Sequence, residues 1–486
     1  MKHKYMILLL SMSLSLLGST LGRSKEKLRC NMTLQCQELP PDVEQIDDLL
    51  SQGVFYGRLR LNSFAYRNGD RAYHQEIVGV GGSLGFKSAY LHGLGFTTIA
   101  YTSQEAWHGS MDEVSRYKAG KDVLSRYDVS HGGDRGISTL AQAFLEYRDD
   151  ESSVRFGRQL FESFLTKSND TKMIPNAFYG LTLQSSLIPS TKLKMGYLTA
   201  QKLRDHSRFH HLLAYGDNPN DPYAQWREND DGAMHRGLTL SKLEEQGIDD
   251  RLLIVELKNR ALPHTTLHAN YTVVPSLLSY WMVEGSYRWL VADLKIIPSV
   301  RYMRQFDEGA GVIGGANLRN NTVGYHHPKS LNGGLYASRI DFIRSIWSLR
   351  LGYSSVEDRG DLVTPWRGFP TAGYTRAMGQ YNWYANTDAY MLRADYRLGG
   401  ESWLPNGHLM MRYVIQDFDD SKAGVQSDSR VLSFDVVKKG FDFATNLYGK
   451  LRMAHVMGED DTIAEDGTLK PDSSYDEVRV EFNYLF

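Results

Sequence analysis

The 486-residue chain balances 55 Lys and Arg against 57 Asp and Glu, and a net charge of -2 gives it no basic field to attract nucleic acid. Its mean hydropathy of -0.41 excludes a bundle of membrane-crossing helices, each of which needs about 20 apolar residues. A membrane β-barrel stays open, because half of every barrel strand faces water and dilutes the average.

The chain begins with Lys2 and Lys4, then an uncharged apolar run from Ile7 to Gly18, then Thr20 and Gly22 at a spacing that suits a signal peptidase. Residues 1–22 read as a secretory signal peptide. Residues 23–53 read as a periplasmic lead-in. Cys30 and Cys36 lie in it, and the compartment permits a disulfide that spacing alone does not establish. Arg29 stands where a lipidated cysteine would need a small residue before it. Pro41 to Gln52 is spaced as a short acidic helix, ended by Gly53.

From Val54 to Phe486 the pattern turns to strict alternation. Leu59 and Leu61 alternate with Arg58, Arg60 and Asn62; Tyr390, Leu392, Ala394 and Tyr396 with Arg393, Asp395 and Arg397. At the end, Val478, Val480, Phe482, Tyr484 and Phe486 alternate with Glu477, Arg479, Glu481 and Asn483. A period of two makes strands with one apolar and one polar face. About eighteen such strands fit. Tight links close alternate pairs at 91–93, 148–151, 188–190, 291–293 and 438–440, and long polar loops join the others at 103–135, 161–176, 204–250, 306–330, 356–386 and 456–474. Short turns at one rim and long loops at the other define an all-β transmembrane antiparallel barrel over 54–486. The short link near Pro275 departs from that rule.

An interior closed by so many strands is too wide for side chains to fill, so water is expected inside. If the apolar faces meet lipid, parity turns Arg58, Arg60, Arg155, Lys194, Arg288, Arg301, Arg339, Arg350, Arg393, Arg397, Arg412, Lys450 and Arg452 inward. Fewer carboxylates share those faces: Glu146, Glu256, Glu284, Asp341, Asp395, Glu477 and Glu481. Such a lining would draw anions. Arg158 and Arg304 have the opposite parity, which places them beyond the bilayer or at a bulge.

Two stretches carry a family resemblance. Ser153-Val154-Arg155-Phe156-Gly157-Arg158-Gln159, and then Asn169 to Asn176 (NDTKMIPN), resemble the OprD family of substrate-specific outer-membrane porins. There an R-x-G-R-Q strand leads into a loop with a D-x-[RK]-M-[IL]-P element. The start GRLRLNSFAYR and the end SYDEVRVEFNYLF are similar in style, so the resemblance covers roughly 53–486. It implies an 18-stranded porin of the Gram-negative outer membrane, taking up small and often carboxylate-bearing solutes past a ladder of basic side chains. It also implies that the third external loop folds into the pore, which maps onto Phe161 to Asn176. Leu160 to Phe164 departs from the family's more polar, proline-containing run. Phe161, Phe164, Leu165, Met173 and Ile174 are expected to pack on the wall, Lys167, Asp170 and Lys172 to project into the water path, and Pro175 to fix the exit.

The expected partners are outer-membrane lipid and lipopolysaccharide, the barrel-insertion machinery acting through Phe486, and small solutes. Monomer and homotrimer both stay open. No catalytic, cofactor or metal site is expected. His210-His211 and His326-His327 are neighbours whose rings diverge, and Asp217 to Gly232 lacks the Gly and spaced Glu of an EF-hand. No nucleophile, histidine and orienter share the lipid face. A surface adhesin or receptor acting through the long loops is the alternative.

Overall fold

Eighteen antiparallel strands close on themselves in the computed structural model, which describes residues 27–29, 35–68, 74–109, 123–125, 135–170, 172–213, 216–217 and 234–486. In chain order they are β1 (Val54–Asn68), β2 (Gln75–Lys87), β3 (Leu94–His108), β4 (Ile137–Arg148), β5 (Ser152–Gln159), β6 (Ala177–Ser185), β7 (Thr191–Lys202), β8 (Leu252–Asn259) and β9 (Thr265–Val274). The second half comprises β10 (Leu278–Tyr287), β11 (Leu294–Asp307), β12 (Gly333–Arg344), β13 (Trp347–Val356), β14 (Thr387–Arg397), β15 (Gly407–Phe418), β16 (Ser429–Phe441), β17 (Ala444–Gly458) and β18 (Tyr475–Leu485). Each pairs with its sequence neighbours, and β18 returns to β1 with Arg60 opposite Asn483 and Leu59 opposite Tyr484. No helix of the described residues is long and apolar enough to cross a membrane.

The wall is inside-out relative to a water-soluble protein. On β1, Leu59 is 61% exposed while its neighbours Arg58 and Arg60 are buried. On β18, Val478, Phe482 and Tyr484 are exposed while Glu477, Arg479, Glu481 and Asn483 are buried. Apolar side chains left out around a whole barrel would lose about 1.5–3 kcal/mol each in water, so the outer solvent must be lipid. Two aromatic belts bound that band. Phe156–Tyr179, Trp281–Tyr302 and Tyr353–Tyr390 form ring pairs towards the long-loop rim. Phe55–Phe86, Phe86–Phe96 and Tyr287–Trp289 do so towards the short-turn rim.

The short turns are set locally. Between Leu91 and Leu94, His92 (φ +50°) and Gly93 (φ +83°) supply the two positive φ values of a hairpin turn that matches strand twist. One expected turn moves. The β16 strand continues through Lys438–Gly440 to Phe441 and turns at 442–443, because Gly440 (φ +72°) absorbs the extra residue in a bulge. The acidic helix is also shorter than expected. Asp42–Val43 pairs in parallel with Tyr90–Leu91, and α1 spans only Ile46–Ser51. Arg148 holds this lead-in at the short-turn rim, 3.6 Å from Asp42 and over the Tyr90 ring. The signal peptide and the Cys30–Cys36 pairing lie outside the described residues, as does most of Asp217 to Gly232.

Candidate functional site in the barrel interior

The loop at 160–176 leaves β5 and returns to β6, yet it touches strands on both sides of the ring. Arg58 of β1 donates to the Asp170 carboxylate and Arg60 to the Asp170 carbonyl (3.2 Å). On β8, Glu256 accepts the Phe164 N–H at 2.6 Å, and on β11 the Arg301 guanidinium lies 5.0 Å from the Phe164 ring centroid. A segment that reaches β1 and β11 from between β5 and β6 lies within the barrel mouth. Phe161, Phe164, Leu165, Met173 and Ile174 are all buried. The polar residues divide against expectation. Lys167 is 37% exposed and 3.4 Å from Glu162, but Asp170 (2%) and Lys172 (8%) are buried. Asp170 does not project into water, because two wall arginines attract it; Lys172 lies over the Phe64 ring instead. Pro175 is buried, and its carbonyl accepts from Lys202 at 3.1 Å.

A second loop, 357–386, crosses to meet the first. Thr166 and Arg367 form an antiparallel bridge, the Lys167 N–H donates to the Trp366 carbonyl (3.0 Å), and the Gly368 N–H donates to the Leu165 carbonyl (2.8 Å). Only glycine fits at 368, where a Cβ would lie 2.2 Å from the Leu165 backbone. Trp366 and Trp383 are fully buried, and Phe369 stacks on Trp383. From its length and polarity this loop is expected outside the barrel. Its aromatic density, Trp366 to Tyr384, is the same signal that points the 160–176 loop inward.

The parity-selected cations occupy the wall in distinct settings. Arg155 donates to Glu146 (2.6 Å), Lys194 lies 3.6 Å from Glu256, and Arg301 donates to Glu284 (2.8 Å) and to the Pro370 carbonyl (2.7 Å). Arg339 and Arg350 share Asp341 and both donate to the Gly373 carbonyl, so the second loop rests on wall arginines. Arg393 binds Asp395 and Arg452 binds Asp435 through two hydrogen bonds each, with Lys450 3.4 Å from Asp435. Arg58 is fully buried beneath the first loop and does not border open water. Arg288 and Arg397 stand apart from this group. Both are exposed at the short-turn rim, Arg288 beside His264, because β10 and β14 end there. Parity missed Lys87, which donates to Glu146 at 2.7 Å, and Asp435; neither stands in an alternation conspicuous enough to read.

Arg350, Arg393 and Arg412 form direct cross-strand neighbours on β13, β14 and β15. Arg412 makes no direct hydrogen bond or salt bridge to a carboxylate among the described residues, Asp435 attracting it only at longer range; it reaches the Arg376 carbonyl of the second loop at 3.4 Å. Like charges directly opposite one another oppose pairing, and here Asp341 beside Arg350 and Asp395 beside Arg393 offset part of that repulsion. Above this row the outer loops are tied by buried polar groups. His235 accepts the N–H groups of Gly237 and Leu238 and donates to the Gly315 carbonyl, and burial holds its pKa down at about 4. Asp361 accepts from Tyr325, Leu318 and Ala385, and burial pushes its pKa up to about 6. The expected divergent pair does not act alone: His210 meets His206 at 2.7 Å.

A closed 18-stranded barrel with lipid-type outer faces and loops folded into its mouth defines a membrane channel architecture. Solved structures agree. The chain superposes on OccAB3 of Acinetobacter baumannii with a TM-score of 0.68 at 15% identity, covering 90% of this chain and 99% of that one. It matches OccK9 (OpdG) of Pseudomonas aeruginosa with a TM-score of 0.67 at 17% identity, covering 90% and 99%. It also matches OpdK of Pseudomonas aeruginosa, solved with vanillate, with a TM-score of 0.64 at 14% identity, covering 89% and 98%. These neighbours are OccK, OpdK and OprD-type outer-membrane porins, and the chain has their fold. No family model matches the sequence, and no curated protein does.

Proposed function

We propose that the chain is an outer-membrane porin, a water-filled channel for passive diffusion of small solutes that favours anionic, carboxylate-bearing ones. The observation that carries this reading is the row of Arg350, Arg393 and Arg412 beside a mouth narrowed by two interlocked loops. Arginines in such a row gain when a mobile anion sits among them, and a carboxylate can take two parallel N–H bonds from one guanidinium. Lys167, Arg155 and Lys194 keep partial exposure on the opposite side and would continue the attraction. The vanillate in the OpdK structure is a small carboxylate of the kind this row would suit. Single-channel recording across a salt gradient tests the reading. A reversal potential of anion-selective sign supports it; cation selectivity refutes the solute preference, and absence of conductance from folded protein refutes the porin.

A further inference from the structure

We propose that the outward face of β5–β8, at the long-loop rim, binds the phosphorylated glycolipid of the outer leaflet, with Arg158 and Arg251 as its two phosphate contacts. The proposal rests on the barrel's outer-membrane placement and goes beyond its pore. Arg158 follows Phe156 by two positions and Arg251 precedes Leu253 by two, so both stand on the lipid face just past the last outward apolar residue. An outward arginine is costly at the bilayer midplane and nearly free of cost near the interface, so this height is where it can be held. Tyr179, which pairs with Arg158 across the ladder, and Tyr197 lie between the two.

Both guanidinia are fixed while staying exposed. Arg158 donates to the Leu140 carbonyl (3.2 Å) and lies 5.1 Å from the Phe209 ring centroid. Arg251 donates to the Tyr197 hydroxyl at 2.8 Å. Three ladder steps of about 4.8 Å separate their strands by about 14 Å, a span for two phosphates on one sugar headgroup, with apolar chains running down the wall below. Arg251 also meets Asp249 at 2.7 Å, but both are more than half exposed, and an exposed pair of that kind yields readily to a doubly charged phosphate. The charge pattern localises the site. Elsewhere the outward rim carries Glu76, Asp388, Asp417 and Asp476, and its other outward arginines do not form such a pair: Arg67 is bound to Glu76, and Arg430 stands singly on its strand.

The test uses the full barrel in phosphatidylcholine nanodiscs, titrated with bis-phosphorylated lipid A and with its dephosphorylated form. Wild type should bind the phosphorylated form at least about 10-fold more tightly. R158Q/R251Q should lose that margin, R158K/R251K should keep most of it, and R344Q at the opposite rim should match wild type. Inorganic phosphate at equal concentration should not compete. Equal binding of the two lipids by wild type, or retention of the margin by folded R158Q/R251Q, overturns the proposal. Competition by inorganic phosphate reduces the site to a bare anion site and overturns the glycolipid. Conductance of the same preparations is read separately, so failure of the lipid site and failure of the porin reading are distinguishable. Should the double variant misfold, the two-lipid comparison on wild type decides between binding and its absence.

Discussion

Replacing Asp170 with Asn separates the two forces that hold the first loop inside the barrel. Asp170 and Arg58 are 2% and 0% exposed, and the Asp170 carbonyl also accepts from Arg60. Removing one partner of a buried pair costs about 3–5 kcal/mol, because the remaining charge stays desolvated. Against that stand five buried apolar side chains, Phe161, Phe164, Leu165, Met173 and Ile174. At about 1.5–3 kcal/mol each they contribute about 8–15 kcal/mol, an upper figure since the free loop would already bury part of that surface. Apolar anchoring wins. Asp170→Asn should therefore leave mean single-channel conductance close to wild type while raising brief large-conductance events by about 10²–10⁴-fold. Arg58 and Arg60, now without the carboxylate, should shift the reversal potential further towards anions. Planar-bilayer recording reads both. If Asp170→Asn instead conducts steadily like a variant lacking residues 162–172, the ion pair rather than apolar burial seats the loop, and the ranking of the two forces is refuted.

Gly368→Ala places a Cβ 2.2 Å from the Leu165 backbone, so the two loops should part and conductance should rise; unchanged conductance would show that the crossing does not limit flow. Changing Arg350, Arg393 and Arg412 together to Gln should move the reversal potential towards cations and slow carboxylate uptake into vesicles, and a folded triple variant with wild-type selectivity would remove the arginine row from the mechanism. Deleting Phe486, whose backbone exchanges hydrogen bonds with Gly57, should lower the amount of heat-modifiable barrel in the outer membrane; full surface levels would count against a terminal signal. His235 has a folded pKa of about 4, below its usual 6.5, so it binds fewer protons folded than unfolded. Its contribution is present above about pH 6.5 and is lost as the pH falls towards 4. Amide exchange at Gly237 and Leu238, corrected for intrinsic rate, should accelerate over that window in wild type and not in His235→Gln.

The strands were legible because lipid and water impose a two-residue period on them, and a face assignment follows from parity alone. Leu59 out with Arg58 in, and Phe482 out with Glu481 in, are decided by that period. The His92-Gly93 turn was legible for a similar reason, since both residues accept positive φ. The Lys438–Gly440 turn was not: glycine serves a bulge as well as a turn, and only the β16–β17 ladder distinguishes them. Arg288 and Arg397 keep the parity of the wall but lie where their strands stop, and parity carries no height.

The loops fail differently. Apolar residues in the 160–176 segment announce burial, yet the destinations of its charges depend on side chains more than 100 positions away, as with Asp170 and Arg58. The same holds for the second loop, whose Gly373 carbonyl rests on Arg339 and Arg350. A polar residue in a loop between strands is equally able to face water or a wall charge, and desolvation settles the matter only when a partner is there to offset it. Asp170 finds two such partners and is buried. Lys167 has the partly exposed Glu162 as its salt-bridge partner among the described residues and stays wet. The wall charges that parity turns towards the lumen therefore divide: Arg58, Arg60, Arg301, Arg339 and Arg350 hold the loops, and Arg393 and Arg412 complete the cross-strand row proposed to meet the solute. Loop anchoring and the proposed anion attraction would draw on the same residue type because a guanidinium satisfies a carbonyl, a fixed carboxylate or a mobile one with the same planar set of donors.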